Sequence, residues 1–205
     1  MEVTMIIFNG ETRFNIDNKD AIVTVLQMVS DQLKKNDTVF SHLIVNGVEV
    51  YENHEAYMEE RLNQIEEITI VIKTVKEMIW ETMQSIHEYL NRAIPALQEL
   101  IDSSYETFTS ATWKGINQLA EGMQWILQFH TFTSSASEKP ANWLTVQQSI
   151  TQCENSFKQM IEGVEAQDTI LISDILSYEI LPSYESLYKA LEKSLQHEEF
   201  LKNAH

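Results

Sequence analysis

Apolar and polar positions change their period once along this chain, at about residue 74. Before that point they alternate in short runs. "VTMIIF" (residues 3–8) is followed by Asn9-Gly10 and "TRFNI", and "FSHLIVNGVEV" (residues 40–50) turns at Asn46-Gly47. Asn-Gly between apolar runs predicts a two-residue hairpin turn, because both central positions of a type I′ turn need positive φ. Two hairpins are therefore expected. Between them Ile22, Val25, Leu26, Val29 and Leu33 recur at helical spacing, with Asp17 placed to accept from the free N–H groups of the first turn. "HEAYMEERLNQ" (residues 54–64) predicts a short helical turn, and the β-branched "ITIVIK" (residues 68–73) predicts a closing strand.

From Val75 onward the period is that of a helix. Ile79, Met83, Ile86, Leu90, Ile94, Leu97 and Ile101 mark one long stripe. Pro95 lies inside it, so a kink is expected rather than two helices, at a cost of ~3 kcal/mol that packing must offset. A second helix is predicted over 110–130 from Trp113, Ile116, Ala120, Met123 and Leu127. A Ser-rich loop over 133–142 ends in Asn142, a candidate cap. Val146, Ile150, Cys153, Phe157, Met160 and Val164 mark a third helix. Asp168 then caps a fourth, carrying Leu171, Ile175, Leu181, Tyr184, Leu187 and Leu191 and a second internal proline, Pro182. Four such helices joined by short turns predict a four-helix bundle over 75–205.

The order strand, strand, helix, strand, strand, short helix, strand over residues 1–74 resembles the ubiquitin-like β-grasp fold, most clearly at "LIVNGVEV" and "ITIVI". The fold class expected for the whole chain is thus α+β: an N-terminal β-grasp domain (1–74) and a C-terminal all-α bundle (75–205). Conjugated ubiquitin-like proteins end in a flexible Gly-Gly tail. Here the strand runs on as "IKTVKEMIW", so the resemblance implies neither conjugation nor sulfur-carrier chemistry. "EGMQWI" and "DTILISDILSYEILP" are similar to helical proteins of an uncharacterised family from Bacillus-like bacteria, over about the last 130 residues. That resemblance carries no activity with it.

Charge narrows the partners. There are 31 acidic and 14 basic side chains, a formal charge of −17. Such a surface repels phosphate backbones and anionic lipid, so no nucleic-acid or membrane partner is expected. A basic protein or an amphipathic helix remains open, and the same acidity also serves plain solubility. Acidic side chains are spread through both halves, 13 before residue 75 and 18 beyond, which weighs against a DNA-mimicking inhibitor as the third function class. No basic residue precedes the first apolar run and no apolar stretch approaches ~18 residues, so a cytoplasmic location is expected.

Little in the sequence carries chemistry. The five glycines at 10, 47, 115, 122 and 163 are too dispersed for a phosphate-cradling loop. Cys153 is alone, which excludes an internal disulfide, and it falls on an apolar stripe as a small buried hydrophobe. The six histidines are scattered, and neither His-Glu-x-x-His nor Glu-x-x-His occurs. No metal or other cofactor is therefore expected, and no catalytic residue is assigned. Ser186 and Lys189 have a Ser-x-x-Lys spacing but lack the companion motifs of that enzyme class, so they read as helix surface.

Two candidate sites follow. Arg92, with Asp174 and Glu179 bordering the fourth stripe, is a candidate buried ion pair fixing the register of the bundle; a solvated arginine is the other reading. In the N-terminal domain, alternation turns Val3, Met5, Ile7, Leu43, Val45, Ile68, Ile70 and Ile72 inward. Ile6, Ile44 and Val71 then face outward, with His42 beside Ile44. Ubiquitin-like domains use this outer sheet surface for partners, so it is either a protein-binding patch or a surface covered by the helices. The expected function is a non-enzymatic protein–protein interaction adaptor or chaperone of a bacterial cytoplasm. Acidic helical chaperones of flagellar and type III export are similar in size and charge. An enzyme or small-ligand-binding protein with its site in the bundle is the alternative.

Overall fold

The structure is a computed structural model and describes residues 2–7, 10–15, 19–33, 38–197 and 200; for the first two strands it describes backbone only. It divides into two compact units, Met1–Met78 and Ile79–His205. The architecture is mixed α+β, a sheet followed by a largely helical region.

In the first unit β1 (Glu2–Ile7) and β2 (Gly10–Asn15) form an antiparallel pair, followed by α1 (Lys19–Leu33). Then come β3 (Thr38–Val45), β4 (Val48–Val50), α2 (His54–Glu60), a 3-10 turn (Leu62–Gln64) and β5 (Glu67–Thr74). The sheet order is β2-β1-β5-β3-β4, with β1 and β5 parallel and the other described pairs antiparallel. Asp17, expected to cap α1, and Asn9 of the first turn lie outside the described residues.

Alternation places the core. Leu43 pairs with Ile70 and Val45 with Ile68, and all four are buried with Ile22, Val50, Met58 and Ile65. One step departs from strict alternation. Phe40 lies opposite Ile72 while His42 lies opposite Val71, so β3 uses two residues where β5 uses one. A bulge of this kind reverses side-chain parity. Phe40, which alternation alone would turn outward, thereby packs against the core with Ile72.

The turn at 46–47 has positive φ at both residues, 49° at Asn46 and 80° at Gly47, as a type I′ hairpin requires. The Asn46 side chain does more than tolerate that geometry. Its Oδ1 accepts from the backbone N–H of Glu66 and Glu67 at 2.8 and 3.0 Å, and its Nδ2 donates to the Gln64 carbonyl at 2.7 Å. The hairpin is thereby tied to the segment leading into β5.

In the helical region α3 (Val75–Glu106) follows β5 without a loop. Thr74 and Glu77 make a reciprocal cap: Glu77 Oε2 accepts from the Thr74 N–H at 2.8 Å, and Thr74 Oγ1 accepts from the Glu77 N–H at 3.2 Å. α4 (Ser110–Ser135) begins with a second such box, Thr109 with Thr112, and α5 spans Trp143–Glu165. Asn142 precedes α5 at φ 61° without a side-chain cap; its Nδ2 donates instead to the Ala190 carbonyl at 3.5 Å. Asp168 caps α6 (Thr169–Ile175) as expected, Oδ1 accepting from the Leu171 N–H at 3.0 Å.

The two internal prolines are accommodated differently. α3 continues unbroken through Pro95, and both Pro95 and Asn91, whose carbonyl loses its donor, are exposed to water. Pro182 instead follows a π-turn, Leu176–Ile180, that joins α6 to α7 (Leu181–Leu195). The Leu181 N–H donates to the Leu176 carbonyl, five residues back. The wider turn gives the proline ring room where an α-turn would set it against a carbonyl.

Where α5 faces α7, serine pairs sit beside aromatic packing: Ser149 Oγ lies 3.2 Å from Ser186 Oγ, Ser156 Oγ lies 3.4 Å from Ser183 Oγ, and the Phe157 ring stacks on Tyr184 with centroids 6.0 Å apart. Among the described residues no helix is long and apolar enough to cross a membrane.

Candidate functional site

The segment "DTILISDILSYEI" offers more apolar side chains than one helical face can bury. Ile172, Ile175, Leu176 and Ile180 go inward. Ile170, Leu171 and Tyr178 are left 73%, 42% and 71% exposed. No phase of a 3.6-residue helix buries 170, 171, 172, 175 and 176 together, so the excess is fixed by the sequence itself. Ile170 and Tyr178 are exposed, and Asp174, four residues from each, is half-buried. From the last turn of α3, Tyr105 (50% exposed) donates its hydroxyl to Asp174 Oδ1 at 2.7 Å. This bond to a carboxylate, with lesser contributions from burial and from the charges of Asp174 and Tyr178, raises the Tyr105 phenol above its ordinary range. The run from 170 to 178 thus leaves Ile170, Leu171 and Tyr178 exposed, and Tyr105 of α3 meets it at Asp174.

The same unit holds a concavity of about 710 Å³ between α3 and α4, lined by Tyr89, Arg92, Ala96, Leu97, Leu100 and Leu119 among others. Gly115 of α4 lines it, and both Gly115 and Gly122 take a side chain of α3 against the helix backbone. A methyl at Gly115 would lie 2.8 Å from Leu100 Cδ1, and one at Gly122 would lie 2.5 Å from Tyr89 Cζ. The two helices therefore run antiparallel, with 115 against 100 and 122 against 89. Burial raises the Tyr89 phenol, an effect partly opposed by the neighbouring Tyr184 hydroxyl. Tyr184 is buried completely, and burial pushes its phenol well up, with Tyr89 and Cys153 adding in the same direction. Its hydroxyl lacks a hydrogen-bond partner of full geometry. Burial likewise pushes the Cys153 thiol up to about 12, which makes it a poor nucleophile.

The outer sheet residues fall as follows. Ile6 pairs with Thr69 in β5, and Ile44 of β3 pairs with the same Thr69, so the three form one row across the sheet. The Ile6 side chain is outside the described residues. Ile44 and Val71 are half-buried. His42 pairs with Val71 but is only 6% exposed, its ring stacked on Tyr51 at 4.5 Å and its Nδ1 3.0 Å from Ser41 Oγ. An exposed His42 beside Ile44 is thus not what the fold provides. A β4-edge aromatic covers it.

The buried ion pair of Arg92 with Asp174 and Glu179 is not formed. Arg92 is exposed, and its Nε donates to the carbonyl of Glu88 on its own helix at 3.4 Å. Asp174 is taken by Tyr105, and Glu179 is exposed. The physical reason is the phase of α3: Arg92 lies between the buried Leu90 and Leu97 but on the opposite side of the helix from their stripe. Ser186, in the Ser-x-x-Lys spacing, faces Ser149 rather than a base. Among the described residues no group of three or more His, Cys, Asp or Glu is placed to hold a metal ion.

Sequence reasoning missed the Tyr105–Asp174 contact because 69 residues separate its partners. The trough left a faint trace, two glycines seven residues apart in a helical stretch, where each weakens the helix by about 1 kcal/mol relative to alanine and so invites a packing reason.

A family described as Domain of unknown function (DUF8042) matches residues 81–190, from the second turn of α3 to the body of α7. No curated protein and no solved structure matches the chain.

Proposed function

The chain belongs to the DUF8042 family, and from that premise we propose that it is a non-enzymatic protein-interaction module that docks a partner on the Tyr105–Ile170–Leu171–Tyr178 face. One observation carries this reading: Tyr105, half exposed, bonds to Asp174 on a helical run that leaves Ile170, Leu171 and Tyr178 42% to 73% exposed. Exposed apolar groups gathered in this way favour burial against another molecule. Tyrosine is enriched at the energetic centres of interfaces because it buries much area at small entropic cost. Asp174, and a chain charge of −17, favour a partner element that is apolar with a basic side chain at its centre. An adaptor or chaperone acting in the cytoplasm fits such a surface.

The same proposal takes the first unit as a ubiquitin-like β-grasp. Its sheet order of β2-β1-β5-β3-β4 with parallel central strands supports this. It takes α3, α4, α5 and the α6–α7 run as a four-helix bundle with the docking face at one end. The test is affinity capture by the tagged chain and its Ile170→Asp/Tyr178→Ala variant, then hydrogen exchange on the reconstituted pair. The reading expects a captured protein to be lost in the variant at unchanged melting temperature, and 168–180 to gain protection when the purified partner is added. Capture untouched in that variant but abolished by Ile44→Asp would move the docking face to the sheet and overturn the assignment.

A further inference from the structure

We propose that Asn46-Gly47 is a latent self-modification site, independent of the docking face. The folded hairpin latches the Asn46 amide; when β3–β4 opens, the Gly47 nitrogen attacks the Asn46 side chain and leaves aspartate or isoaspartate there. The chemistry belongs to the dipeptide. The Gly47 nitrogen bonds to Asn46 Cγ as its proton passes to solvent base, the Cγ–Nδ2 bond breaks with release of ammonia, and a five-membered imide remains. Water then opens the imide at one carbonyl or the other. One opening gives aspartate; the other routes the main chain through the side chain as isoaspartate. Glycine favours the attack because no Cβ shields its nitrogen. Asn46 and Gly47 are both exposed, a Cβ built on Gly47 would meet nothing within 4 Å, and the Gly47 N–H bonds to no described residue. The nucleophile is therefore open to water.

The fold withholds the reaction in two ways. Closing the imide ring requires Asn46 Cβ and the Gly47 nitrogen to lie on the same side of the Asn46 Cα–C bond. With φ 49° at Asn46 and 80° at Gly47 the turn is of type I′. Its first central residue has ψ of about +30°, which sets Cβ nearly opposite the next nitrogen. The side chain is pinned as well, Oδ1 by the Glu66 and Glu67 N–H groups at 2.8 and 3.0 Å and Nδ2 by the Gln64 carbonyl at 2.7 Å. Attack thus needs the turn and all three bonds released together, which is the event of local hairpin opening. The step is also one-way. Aspartate puts a carboxylate oxygen where Nδ2 donates to the Gln64 carbonyl, acceptor against acceptor, and adds a charge beside the exposed Glu66 and Glu67. Isoaspartate adds a methylene to the main chain, which a two-residue turn does not accommodate. A brief opening becomes a lasting change at the β4 edge, next to the Tyr51 ring that covers His42.

The test is site-resolved peptide mapping of the full chain aged in mildly alkaline buffer, native and in concentrated urea, alongside native-state hydrogen exchange. Asn9-Gly10 is the same dipeptide, so the mapping must separate the two sites. The inference expects Asn46 to convert roughly thirtyfold more slowly in the native chain than in urea, the factor by which three exposed hydrogen bonds hold the turn. Val50→Ala trims a buried side chain opposite Leu43 and leaves the turn residues untouched; it should lower β3 protection and speed conversion by the same factor. Native conversion within about threefold of that in urea overturns the latch. Absence of conversion at Asn46 in urea overturns the lability, and loss of β3 protection in Val50→Ala without faster conversion overturns the coupling. Where Val50→Ala fails to fold, the comparison of native chain with urea decides. None of these outcomes touches the Ile170/Tyr178 face.

Discussion

Replacing Asn46 separates two things that one residue does. The position has φ 49°, which glycine adopts freely and alanine does not. Its side chain makes three hydrogen bonds to the 64–67 backbone at 2.7 to 3.0 Å. Asn46→Gly keeps the turn and removes the three bonds. At ~0.5–1 kcal/mol net for each exposed bond, the cost is about 2 kcal/mol. Asn46→Ala loses the same bonds and adds left-handed strain of ~1 kcal/mol, for about 3 kcal/mol in all. All four tryptophans lie at 80 or beyond, in the second unit, so fluorescence would miss a change confined to the first. Native-state hydrogen exchange of amides in β3 and β5 reads it directly. The expected outcome is a loss of protection of about thirty-fold in Asn46→Gly, with Asn46→Ala a further five-fold or so less protected. The reasoning fails if Asn46→Gly changes protection less than three-fold, or if the two variants coincide.

Gly122→Ala should destabilise the helical unit by about 1–3 kcal/mol in urea titration through the clash with Tyr89; in a Tyr89→Ala background the same change should instead stabilise by about 1 kcal/mol, as an ordinary mid-helix substitution. Identical effects in both backgrounds would dismiss the contact. Thr109→Ala removes the α4 cap, in which Thr109 Oγ1 accepts from the Ala111 N–H at 3.2 Å, and should lower stability by about 1 kcal/mol, read as a shift in the denaturation midpoint. Cys153 titrates near 12 when folded against 9.0 as an ordinary thiol, so the folded state holds its proton longer. Its contribution to stability is complete below pH 9 and is lost as pH rises toward 12, with Tyr184 acting in the same sense above 10. Urea midpoints measured from pH 8 to 11 should fall, and Cys153→Ala should flatten the decline; parallel curves would contradict it.

The sequence by itself determined the local matters. Period-two alternation fixed which residues of β3 and β5 meet in the core, since neighbouring side chains on a strand cannot share a face. Asn46-Gly47 fixed its turn, Asp168 its cap, and the helical stripes their helices, because each depends on residues within a turn or two of one another. The crowded apolar run at 170–176 also announced that some of it must remain outside. What surrounds each group is a matter of partners distant in the chain, and only the tertiary structure decided it. The Ser41 bulge returned Phe40 to the core, and Tyr51 covered His42. The phase of α3 carried Arg92 away from Asp174 and left that carboxylate to Tyr105. The close approach of α3 and α4 rests on two glycines of α4 that meet Leu100 and Tyr89 of α3. Spacing within one helix sets which residues share a face, but the face opposite belongs to another helix whose register no local period contains.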